Sequence, residues 1–102
     1  MRSDDAVIDD IIRTFEAKGM CSSRHRNFRF LRRTSESVIV ERENGNEVRI
    51  PFAVLRTAID AIRSDHTIYS GGPNRLRECG ITHINSPTWA LVRLLTLDRL
   101  ID

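Results

Sequence analysis

Arg24, His25, Arg26, Asn27, Phe28, Arg29, Phe30, Leu31, Arg32 and Arg33 follow one another with no acidic residue among them. The planar fork of an arginine matches phosphate and carboxylate oxygens, so Arg24, Arg26, Arg29, Arg32 and Arg33 together could grip a run of phosphates or an acidic protein surface. Residues 21–35 carry +5, while residues 1–20 sum to −2 and residues 36–102 to −1. A formal net charge of +2 therefore conceals a local asymmetry, and an anionic partner responds to the local field. A solvated edge strand whose charges deter aggregation would have the same composition.

Three other constellations bear on chemistry. Arg75 and Arg77 follow the Gly71-Gly72 loop, an arrangement better suited to a phosphate than to a base edge. Trp89, with Val92 and Arg93 on the same helical face, could form an interface or a base-stacking platform, although a lone Trp is commonly core. Cys21 and His25 stand four apart, as do Cys79 and His83, a formal Cys₂His₂ set for zinc. Zinc pairs usually combine Cys with Cys and His with His, so coincidence is the simpler account, and neither a metal nor another cofactor is expected. No nucleophile–base motif, Walker-type phosphate loop or His-Glu-x-x-His is present, which argues against an enzyme.

These side chains must be carried by a small framework. Ser3 can cap a helix with Asp4 and Asp5 in its first turn, and Ile8, Ile11, Ile12 and Phe15 repeat at helical spacing until Gly19. Phe28 and Phe30 alternate with Arg29 at the period of a half-buried strand, and Ser37–Arg42 reads as a second. Asn44-Gly45 is a strong hairpin signal, with Glu47–Ile50 as the returning strand. Pro51 opens a helix bearing Phe52, Leu55, Ile59 and Ile62, which ends near Ser64-Asp65. Thr67-Ile68-Tyr69 reads as a short extended segment. Pro73 starts a short helix stopped by Gly80, and Ser86-Pro87 starts a last helix that runs towards Leu100. In that last helix Ala90, Leu91, Leu94, Leu95, Leu97 and Ile101 share one face, whereas Trp89 and Val92 fall on the polar one. The expected fold is α+β: an N-terminal helix, a three-stranded antiparallel meander and three C-terminal helices with a helix-turn-helix-like end.

The 102 residues fit one domain spanning 1–102. No apolar run approaches the ~20 residues of a membrane helix, so no membrane partner is expected. The opening Arg2-Ser3-Asp4-Asp5 is unlike a signal peptide, and two cysteines are too few for a disulfide framework, which together suggest a cytoplasmic protein. Fifteen Arg stand against one Lys, a bias that either oxyanion recognition or a GC-rich genome would produce.

From Val38 onward, Ile50-Pro51, Leu55, Ala58-Ile59, Ser86 and Trp89-Ala90-Leu91 resemble small N-terminal modules that accompany bacterial restriction-type nucleases. The resemblance implies contact with DNA and carries over no catalytic residue. The resulting expectation is a non-enzymatic nucleic-acid-binding module, with DNA preferred over RNA. Its alternative is a protein-interaction or homodimerisation module working through the last helix.

Overall fold

A computed structural model describes residues 1–102. Helix α1 spans Asp4–Lys18; the Ser3 side chain accepts the Ala6 amide at its start, and Gly19 closes its end through a bond to the Phe15 carbonyl. Val7, Ile8, Ile11, Ile12 and Phe15 are buried along one stripe, as the 3.6-residue period requires.

Four antiparallel strands follow in the order β1 (Met20–Ser22), β2 (Asn27–Arg33), β3 (Ser37–Arg42) and β4 (Glu47–Pro51). The expected meander is thus extended by one strand. β1 is only three residues long and pairs Met20 with Arg29, Cys21 with Phe28 and Ser22 with Asn27. So short a strand has no readable period; its pairing with β2 across the Ser23–Arg26 turn defines it. The β3–β4 hairpin forms at Asn44-Gly45, but only Gly45 takes a positive φ, with the Asn44 side chain accepting the Asn46 amide. One residue in the left-handed region suffices for this turn, so Asn44 keeps a negative φ.

The pleat sorts the arginines. Phe28, Phe30, Val38, Val40 and Ile50 point to the helices, and a bulge between Phe30 and Arg32 restores the alternation after Leu31. Arg29 and Arg32 oppose Glu41 and Ile39 on the other, helix-free face, whereas Arg33 opposes Val38 at the helix-side rim. A run contiguous in sequence is thereby divided among three surfaces.

Helix α2 (Phe52–Ser64) buries Leu55, Ala58, Ile59 and Ile62. Thr67–Gly71 is a short helix, α3, in place of the expected extended segment. The Asp65 carboxylate accepts both the Thr67 amide and hydroxyl, which caps the turn and overrides the β-propensity of Thr, Ile and Tyr. Pro73–Cys79 is a 3₁₀ helix ended by Gly80. The last helix is broken into α4 (Asn85–Val92) and α5 (Leu97–Ile101), with Thr96 capping α5.

α4 lies inside the molecule. Seven of its eight residues, including Trp89 and Val92, are buried, leaving Ser86 partly exposed. The helix-turn-helix-like end is therefore corrected: the first helix is 3₁₀, and the second has no face free to enter a groove. One contiguous core runs from Val7 through Cys21, Phe28, Ile59 and Trp89 to Leu100. No helix is long and apolar enough to cross a membrane.

Candidate functional site

Nine arginines are ion-paired: Arg2, Arg13, Arg29, Arg32, Arg33, Arg56, Arg63, Arg75 and Arg99. On the open sheet face Arg29 pairs with Glu41, and Arg32 with Glu47 at 3.1 Å. Arg33 binds Asp9 at 2.8 Å and lies over the Phe52 ring. Arg75 bridges Asp65 at 3.0 Å and Glu78 at 2.7 Å, and the Glu78 hydrogen bond foremost raises its already high pKa. Four of the seven arginines expected to meet phosphate thus already have carboxylate partners. These pairs are solvent-accessible and individually weak, but they screen the positive field of that face.

Six arginines have no carboxylate partner, and four of them line one cleft. The β1–β2 turn delivers Ser23, Arg24, His25 and Arg26; the end of β3 delivers Arg42. Gly71, Gly72, Pro73 and Asn74, with Arg77 of the 3₁₀ helix, supply further lining, and Thr82, His83, Asn85 and Ser86 come from the approach to α4 and its first turn. This cleft has a volume of about 580 Å³; Pro73 is the one apolar side chain in its lining, and no acidic side chain is among the rest. Of the other two unpaired arginines, Arg93 lies over Tyr69 at 4.4 Å and Trp89 at 5.2 Å, and Arg49 opposes Ile39 on the open sheet face.

Local bonds fix the walls. The Ser23 and Ser86 hydroxyls meet at 2.8 Å, tying the turn to α4 across 63 positions of sequence. Asn85 donates to the Pro73 carbonyl at 3.1 Å, and Arg24 donates to the Ser70 carbonyl at 3.2 Å while lying 5.9 Å from the Trp89 ring centre. Gly72 has φ +97 and lies so close to Arg24 that a Cβ there would sit 2.9 Å from the guanidinium carbon. That φ is one L side chains rarely adopt, and a Cβ there would also have to displace the Arg24 head group. α4 also begins here, so the positive end of its dipole adds to the arginines.

No match links the chain to a known protein: no family model, no curated sequence and no solved structure matches it. The geometry of the cleft stands on its own.

Of the residues singled out by sequence, the fold brings Arg24, Arg26, Arg77, His25 and His83 together. It sends Arg29, Arg32, Arg33 and Arg75 elsewhere. Cys21, His25, Cys79 and His83 do not come together: Cys21 is buried in the core, the Cys79 thiol donates to the Leu76 carbonyl, and only the two histidines reach the cleft. Trp89 and Val92 are corrected from interface to core, because the 3₁₀ segment, α2 and β1 pack around α4. Arg93 remains exposed. Arg42 is the cleft arginine that sequence reasoning misses. It sits in an ordinary strand sequence beside Glu41 and Glu43, and only the pleat turns it to the helix side, 5.9 Å from Phe28.

Proposed function

We propose that this chain is a non-enzymatic nucleic-acid-binding module that grips phosphate in the cleft through Arg24, Arg26, Arg42 and Arg77. One observation carries the reading: a protein that pairs nine of its arginines with carboxylates leaves four unpaired around a single acid-free cleft. Clustered, uncompensated guanidinium groups repel one another, and a bound polyanion relieves that repulsion while adding charge-assisted hydrogen bonds. Ser23, Thr82, Asn85 and Ser86 add neutral donors of the kind that position a sugar-phosphate chain. The resemblance to restriction-associated modules makes DNA the first polymer to test, in a cytoplasmic setting. Burial of Trp89 and Val92 removes the main support for an interface on the last helix.

The test is electrophoretic titration with DNA and RNA at several salt concentrations. Arg24→Ala with Arg77→Ala should weaken binding and flatten the salt dependence by about one unit of slope for each phosphate no longer neutralised. Arg29→Ala with Arg32→Ala should leave both nearly unchanged, since Glu41 and Glu47 already compensate those charges. Equal losses from the two double variants, or binding insensitive to salt, would overturn the assignment of the cleft.

A further inference from the structure

Arg26 and Arg42 line not only the cleft but also a smaller adjoining pocket of about 170 Å³, shared with Asn27, Phe28, Glu43 and Asn44. The chemistry changes at this boundary. Glu43 brings in a carboxylate, and it forms no ion pair although two guanidinium groups line the same pocket. It is held in place by accepting the Asn27 backbone amide at 2.9 Å. Asn27 accepts the Ser22 hydroxyl through its side-chain oxygen at 2.6 Å, and Asn44 accepts the Asn46 amide through its own at 3.0 Å. Both carboxamide oxygens are engaged within the protein, so both NH₂ groups remain as donors. Phe28 is the single apolar residue in the lining, and its ring is buried in the core with the Arg42 guanidinium 5.9 Å from its centre.

We propose that this pocket takes the base of the nucleotide whose phosphate lies in the cleft, and that the base is an unpaired guanine. The inference rests on the phosphate reading of the cleft. Glu43 repels a phosphate, which confines that group to the acid-free side of Arg26 and Arg42. A flat ring suits the guanidinium planes of Arg26 and Arg42. Guanine alone among the common bases offers two adjacent donors, N1–H and the N2 amino group, to one carboxylate, while its O6 and N7 accept from arginine or carboxamide NH groups. Uracil and thymine present a single donor between two acceptors. In a duplex the guanine donors are occupied by pairing, so the base must come from a single strand, a loop or an extruded nucleotide.

Isothermal titration of the full chain with inorganic phosphate, ribose phosphate, GMP, AMP, CMP and UMP tests this. GMP should bind at least about tenfold more tightly than ribose phosphate or UMP, the discrimination expected of one bidentate base contact. Glu43→Gln keeps an acceptor for the Asn27 amide and removes the charge. It should bring GMP to within about twofold of UMP while leaving ribose phosphate binding equal or tighter. GMP and UMP binding alike to the unaltered chain, or Glu43→Gln weakening GMP and ribose phosphate in equal proportion, would overturn the base pocket while leaving the phosphate cleft standing. If neither inorganic phosphate nor ribose phosphate binds at low salt, the cleft reading itself fails, and the base pocket fails with it.

Discussion

Arg24 shows how much of a residue's role is set by its neighbours. It is held by the Ser70 carbonyl and the Trp89 ring, and by the missing side chain of Gly72. Gly72→Ala should therefore act twice, straining a backbone that L-residues avoid and pushing Arg24 out of the cleft. A stability loss of about 1–3 kcal/mol in chemical denaturation is expected, accompanied by weaker nucleic-acid binding. Unchanged binding would mean that Arg24 does not touch the polymer. Cys21 supplies a second test at this scale. Burial pushes its thiol up to about 12, so in the native protein a thiol reagent at mildly alkaline pH should modify Cys79 and spare Cys21 until the chain is unfolded. Mass mapping of the first site labelled checks the packing of β1 against the core.

Among the elements, α1 and β2 are joined by the rings of Phe15 and Phe30, which meet edge to face at 5.3 Å between centroids. Phe15 is fully buried, so Phe15→Ala removes an aromatic pair and leaves a cavity beneath the sheet. A loss of about 3–5 kcal/mol is expected in urea or guanidinium unfolding. The cleft lies at the far end of β2, formed by a turn, a loop and the start of α4. The fraction of this variant that remains folded should thus still bind nucleic acid. The sheet face that carries Arg29, Arg32, Glu41 and Glu47 is different in kind: its cross-strand pairs are exposed and individually worth little, so single substitutions there should move stability by well under about 1 kcal/mol.

At the scale of the whole molecule, the two ends of the chain are stapled to the body by charge. Arg63 on α2 donates to the Leu100 carbonyl at 2.9 Å and the Arg2 carbonyl at 3.0 Å, and pairs with Asp4. Asp10 on α1 receives both Arg2 and Arg99. Burial on its own raises the Asp10 carboxyl, but the hydrogen bonds from Arg2 and Arg99 outweigh it and hold the group below the ordinary 3.8. Asp9 is lowered chiefly by the Arg33 hydrogen bond, and Asp65 by the Thr67 hydroxyl. A depressed carboxyl stabilises the fold fully above its unfolded pKa and ceases to do so as pH falls through the folded value. Stability should accordingly drop on acidification below about pH 4, and Asp10→Asn should flatten that part of the profile. Asp4 runs the other way: burial and the neighbouring Asp60 raise it despite Arg63. Its contribution is full below 3.8 and is lost as pH rises through its folded value, which offsets part of the gain just above pH 4. Denaturant midpoints measured across this range check the sign, and a midpoint that rises on acidification would contradict it.

Sequence alone determined those features whose physics is local. The stripe from Val7 to Phe15, the alternation in Phe28–Phe30, the turn at Asn44-Gly45 and the Pro51-started helix each follow from side-chain period and backbone preference within a few residues. What only the tertiary structure decided depends on partners far away in the chain. β1 exists because β2 pairs with it, and the last helix breaks where Arg93–Thr96 turns the chain back towards α2. Trp89 is core because other elements enclose it. The arginine run was legible as a charge, but the pleat decided which members meet Glu41, Glu47 and Asp9, and the β1–β2 turn brought Arg24 and Arg26 to Arg42, Arg77 and His83 in a cleft. Charge density is a property of neighbouring residues in the chain, whereas an uncompensated charge is a property of neighbours in space.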